Sequence, residues 1–286
     1  MTEKTSNFKG WQRILLFILP YIFCAGIFQF LGMLVAEVDF TDSTHTKTTT
    51  QSLIIHIFDL VGTLLILWLF MRFVDKKPFI QLGFQTNNRL QEFAMGLLLG
   101  LLIMSLGYGI LYAVNELVFL NFNIDFKELL LSVFFFLIIA VVEESIFRGY
   151  IQRNLMLSFN KYVALLISAV IFSLAHGFNP NVSALGLLNI FLAGILLGIS
   201  YTYTKNLWFP IALHWSWNLF QGLYGFNVSG QNFYNLINFK IEEANKLNGG
   251  AFGFEGSYLS IIAQVIAIAA IFYYYQKNTK NNVAIQ

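Results

Sequence analysis

The chain has 286 residues, 57% of them hydrophobic and only 11% charged, with a mean hydropathy of +0.66 and a formal net charge of +2. A soluble domain carries about 25% charged residues, so an ordinary soluble fold is excluded and 1–286 reads as a single membrane domain. The one cysteine, Cys24, excludes an intrachain disulfide and a redox motif; it reads as a packed apolar residue. Nothing in the composition points to a nucleic-acid partner.

A spanning helix needs about 20 mostly apolar residues. Eight segments qualify or come close: 12–36, 53–74, 93–118, 129–150, 161–177, 184–204, 207–223 and 257–276. The fifth and seventh are short and need company inside a bundle. Lys4, Lys9 and Arg13 before the first run imitate a signal peptide. That run reaches Ala36, too long for one, so it reads as a retained helix. The first connection is polar and Thr-rich, and His45 within it is a surface histidine. The second holds Arg72, Lys76, Lys77, Pro78 and Arg89. The long seventh connection, 224–256, has a mildly amphipathic piece, 241–247, and a Gly-rich turn.

With the N-terminus inside, 13 of the 17 Lys and Arg residues fall on the cytoplasmic side and 4 outside. The expected fold is therefore all-α: a polytopic membrane helical bundle of about eight transmembrane helices, both termini cytoplasmic. Barrel-like alternation is missing. Gly96 with Gly100, and Gly194 with Gly198, are small-residue pairs suited to close helix contacts. There is no internal repeat, which counts against an inverted-repeat transporter. The expected location is an integral, multi-pass position in a bacterial cytoplasmic membrane.

The fourth run ends in Val141-Val142-Glu143-Glu144-Ser145-Ile146-Phe147-Arg148-Gly149. Ionisable groups in hydrocarbon are rare and mark a site, a relay or an ion pair. Glu143 lies as far before the polar turn 158–161 as His176 lies after it. At about 1.5 Å per residue, an antiparallel hairpin sets them side by side, in the cytoplasmic half of the membrane. In the seventh segment His214 and Asn218 are four apart and share a face. Glu143, Glu144, His176, His214 and Asn218 thus reach comparable depths. Glu144 and Arg148, also four apart, suit an internal ion pair. Asn115, Asn189 and Gln264 have no such company and read as structural.

A carboxylate beside an imidazole can take a proton from water and return it to a leaving amine. A second histidine and an amide can bond the oxyanion of an attacked carbonyl. Water-mediated amide hydrolysis fits best. Zinc held by Glu143, His176 and His214 is the other route, though His-Glu-x-x-His is missing.

These motifs resemble the CPBP family of CAAX proteases and bacteriocin-processing membrane proteins. Glu-Glu-x-x-x-Arg stands as Glu143 to Arg148, Phe-x-x-x-His as Phe172 to His176, and His-x-x-x-Asn as His214 to Asn218. The resemblance covers 129–223, helices four to seven, as the catalytic core. It implies an intramembrane endopeptidase acting on a membrane-embedded or lipid-anchored peptide or protein. It implies Glu143 as general base assisted by His176, His214 and Asn218 as oxyanion hole, and Glu144, Arg148 and Phe172 as support. It favours no cofactor, with Zn2+ as the alternative. A non-catalytic scaffold or bacteriocin-immunity factor of the same fold, and a proton-coupled transporter, are the competing classes.

Overall fold

The computed structural model describes residues 6–39 and 47–284, with side chains through residue 277. His45 and the centre of the first connection lie outside the described residues. Eight helices follow in order: α1 (Gly10–Val35), α2 (Thr49–Asp75), α3 (Leu90–Ala113), α4 (Phe126–Leu155), α5 (Lys161–Ala175), α6 (Ala184–Thr204), α7 (Trp208–Leu223) and α8 (Tyr258–Ala284). Six of these (all but α5 and α7) are long and apolar enough to cross a membrane. The chain is an all-α, multi-pass integral membrane protein.

The surface is apolar and the interior is not. Leu19, Phe23, Leu98 and Leu106 are exposed, whereas Asp59, Arg148, Gln152, Asn154, Asn189 and Gln264 are buried. Lipid solvates the former, and each of the latter needs a partner inside the bundle. Asn189 and Gln264 supply each other. Gln264 Nε2 donates to Asn189 Oδ1 at 2.9 Å, and Asn189 Nδ2 donates to the Ser257 carbonyl at 3.2 Å. The two amides, read as structural, thus hydrogen-bond each other between α6 and α8, away from the cavity lined by Glu143. Asn115 ends α3 at a positive φ of 61°, a conformation that asparagine tolerates.

Short α7 is the bundle's centre, buried on nearly every face. Its Pro210 stands in the first turn, where the missing N–H costs nothing. α3 packs along α7 more extensively than any other helix pair. The contact is possible because a Cβ on Gly96 would lie 2.6 Å from the Phe209 carbonyl, and one on Gly100 would lie 2.7 Å from Ser216 Oγ. Ser216 Oγ donates to the Leu97 carbonyl at 2.6 Å, and Trp215 Nε1 to the Val133 carbonyl of α4 at 3.0 Å. Gly194 brings α6 against Ala169 of α5 in the same way, a Cβ there meeting the Ala169 Cα at 2.8 Å.

Helix ends gather at one end of the bundle. Trp11 N donates to Ser158 Oγ at 3.2 Å, and Tyr162 and Tyr203 hydroxyls meet at 3.0 Å. Gln276 reaches both tyrosines. The start of α1 and the later part of α8 therefore lie at the same end. There Asp75, wholly buried, accepts from Arg13, Arg153 (both at 3.0 Å) and the Tyr150 hydroxyl (3.0 Å), tying α1, α2 and α4 together.

The opposite end holds the one two-stranded sheet among the described residues. Strand β1 (Val118–Phe122) pairs antiparallel with β2 (Ile237–Lys240), with a register irregularity between Phe119 and Asn121. The connection 224–257 is otherwise irregular, and its amphipathic piece 241–247 forms bends and turns.

Candidate active site

Four helices and one connection meet at a cavity of about 150 Å³. The site begins where α4 changes character. From Ser145 to Gln152 the helix is wound as a π-helix, immediately after Glu144. Such segments accommodate an extra residue and are frequent at functional sites, though α2 also ends in one, at Phe70–Asp75, away from the cavity. The segment after Glu144 is held from outside. Gln152 Nε2 donates to the Gly198 carbonyl at 2.9 Å and to Thr202 Oγ1 at 3.0 Å, and Ser168 Oγ donates to the Phe147 carbonyl at 3.1 Å.

The two glutamates point to different surroundings. Glu144 is fully buried. Its Oε1 accepts from Arg148 Nη1 at 2.7 Å and from His214 Nδ1 at 2.8 Å. Arg148 also donates to the Gly194 carbonyl at 3.2 Å, and its guanidinium lies 4.4 Å from the centre of the Phe172 ring. Glu144 thus does more than pair with Arg148: it orients a histidine from another helix. A carboxylate accepts only, so His214 Nδ1 carries the proton and Nε2 turns to the cavity.

Glu143 lines the cavity, a quarter exposed (26%). Its Oε2 lies 3.7 Å from His176 Nε2 and 4.0 Å from His214 Nε2, and among the described residues it has no hydrogen-bond partner. His176 is the residue just past the end of α5. Its Nδ1 donates to the Phe172 carbonyl at 2.8 Å, and its ring rests 4.6 Å from that of Phe172. Phe172 therefore orients His176 with its backbone and supports Arg148 with its ring. Both histidines present Nε2 to Glu143 because both Nδ1 atoms are tethered. Asn218, one turn beyond His214, lines the same cavity.

The structure brings together every residue singled out in the sequence: Glu143, Glu144, Arg148, Phe172, His176, His214 and Asn218. It adds several that the sequence reading missed. Asn179 lines the cavity beside His176. From the connection 224–257 come Ser229, Gln231 and Glu255. Glu255 Oε2 accepts from Ser229 N at 2.7 Å and from Ser229 Oγ at 2.9 Å. Burial pushes the Glu255 carboxyl above the ordinary carboxylate range, while the Ser229 bonds and the nearby histidines pull it back. Asp59 of α2 was also missed. It is buried within an apolar helix and accepts from Gln29 Nε2 at 3.1 Å, outside the cavity. Among the described residues, no three of His, Cys, Asp and Glu group closely enough to hold a metal ion.

A polytopic bundle with a carboxylate facing two tethered imidazoles, in a cavity of mixed polar and apolar lining, holds the groups that an intramembrane hydrolase needs. Comparison with known families specifies it. Residues 125–220 match the family described as type II CAAX prenyl endopeptidase, Rce1-like. Over this stretch the chain is similar to that protease family, and the match ends before the connection that carries Ser229 and Glu255. No curated protein matches the chain.

Proposed function

We propose that the chain hydrolyses peptide bonds of a membrane-embedded or lipid-anchored substrate with water activated by Glu143. One observation carries this reading: Glu143 Oε2 stands unbonded between two tethered imidazole nitrogens, 3.7 and 4.0 Å away, at the edge of a cavity. These gaps exceed a direct hydrogen bond. A water about 2.8 Å from both Glu143 Oε2 and His176 Nε2 fits off the line joining them. Glu143 takes a proton from that water as its oxygen attacks the substrate carbonyl carbon. The C–O π pair moves onto the carbonyl oxygen. Asn218 Nδ2 and His214 Nε2 donate to this oxyanion. When the C–N bond breaks, the proton held by Glu143 passes to the leaving nitrogen.

The tether sets a condition on His214. Its Nδ1 proton is committed to Glu144, so Nε2 donates only when the ring carries both protons. That positive charge faces Glu143 and Glu144 together. Arg148 and Phe172 act through Glu144 and His176 and touch no reacting atom. The stretch 129–223 holds all seven of these residues. The same-end gathering of Lys9, Arg13, Arg153, Lys161 and Lys205 supports placing both termini on the cytoplasmic side.

The test is cleavage of a peptide library by purified protein in detergent. Glu143→Gln is expected to abolish cleavage with an unchanged melting curve. Full activity in that variant would sink the mechanism, and no cleavage by the wild type would favour a scaffold. Elemental analysis decides the metal question: stoichiometric zinc with chelator-sensitive cleavage would replace the metal-free scheme with a zinc-bound one.

A further inference from the structure

The cavity has walls of two origins. Helices bring Glu143, His176, His214 and Asn218, whereas the connection 224–257 brings Ser229, Gln231 and Glu255. That connection is firmly stitched. Gly230 N donates to the Phe252 carbonyl at 3.0 Å, and Asn227 Nδ2 donates to the Ala251 carbonyl at 2.8 Å. Gly253 has a φ of 93°, a conformation that favours glycine, and packs so tightly on Asn227 that a Cβ would collide with its backbone. Glu255 follows two residues later, and Ser229 holds one of its oxygens from two directions. Among the described residues, nothing hydrogen-bonds the other oxygen.

The charges around the cavity do not balance. Two carboxylates, Glu143 and Glu255, line it with two histidines, of which His214 alone is positive in the proposed mechanism, and no lysine or arginine does, so one negative charge is in excess. Arg148 is committed to Glu144 and the Gly194 carbonyl. A carboxylate in such surroundings is stabilised by a cation or by further donors. A free C-terminal carboxylate entering here would face like charge, whereas a basic side chain would not.

We infer that Glu255 is a specificity-determining residue that receives a lysine or arginine side chain of the substrate close to the scissile bond. This rests on the protease reading of the site.

The test uses full-length protein in detergent and matched quenched peptides with Lys, norleucine or Glu beside the scissile bond. Wild type is expected to cleave the Lys peptide with a kcat/KM about tenfold or more above that of the norleucine peptide. Glu255→Gln is expected to bring this ratio near one, and Glu255→Asp to restore part of it. A wild type without the preference, or a folded Glu255→Gln that keeps it, overturns the inference. Binding of the same peptides to the Glu143→Gln protein, read by fluorescence anisotropy, separates the two readings. Tighter binding of the Lys peptide, lost when Glu255→Gln is added, supports Glu255 even if wild type cleaves nothing; in that case only the protease reading fails. Equal binding of the Lys and norleucine peptides overturns the inference whatever turnover shows.

Discussion

Replacing Arg148 by alanine separates the support of the site from its chemistry. Arg148 is 1% exposed and its partner Glu144 is 0% exposed. The substitution removes the 2.7 Å bond to Glu144, the 3.2 Å bond to the Gly194 carbonyl and the stacking on Phe172. It leaves Glu144 with His214 alone, and Glu144 Oε2 already lacks a partner. Breaking a buried ion pair from one side costs about 3–5 kcal/mol. The lost stacking on Phe172 adds up to about 2 kcal/mol. At about 2–4 °C per kcal/mol for a chain of this size, Arg148→Ala should lower the melting temperature by about 10 °C or more. Intrinsic tryptophan fluorescence in detergent would report it, since Trp215 and Trp217 closely follow His214. The double variant Glu144→Gln/Arg148→Met removes both charges together and should melt above Arg148→Ala, because no charge is stranded. An unchanged melting curve for Arg148→Ala, or a double variant no better than the single one, would refute the pairing argument.

Asn218→Ala should lower kcat by about 10²–10³ with little change in KM, since the lost donor serves only the oxyanion; steady-state kinetics on a cleaved peptide would show it. Gly96→Val places a branched side chain 2.6 Å from the Phe209 carbonyl and should prise α3 from α7. Size-exclusion chromatography should show loss of the monodisperse species. Asp75→Asn weakens bonds to Arg13, Arg153 and Tyr150 together. It should lower stability by about 2–4 kcal/mol and expose the start of α1 to limited proteolysis before the rest of the bundle.

The helices were legible because a membrane imposes a length and a composition on each span. Even the two short ones, α5 and α7, were marked as needing neighbours, and α7 proves to be the most enclosed helix. Glu143 and His176 were legible as a pair because hairpin arithmetic needs only a turn and a rise per residue. The arithmetic survived a π-helical stretch beyond Glu144 that no periodicity announced. What it missed was the shared use of Glu144: the spacing to Arg148 is visible in the sequence, but a bond from His214, 70 residues on, is not. Phe172 was expected as support, yet its use of a carbonyl as well as a ring needs three dimensions. Asp59 was overlooked although the signal was present, a lone acid inside an apolar run. Glu255 and Ser229 left no local trace. They sit in an irregular connection whose course depends on tight glycine contacts and on a two-strand pairing between 118–122 and 237–240.

That connection lies outside the stretch that matches the protease family, while Glu143, His176, His214 and Asn218 lie inside it. A graft of 224–257 from a related chain would meet the same helical frame and the same reacting groups. Relatives with near-identical helices could in this way serve unrelated peptides, and sorting them by their helices alone would group enzymes that share a reaction and little else.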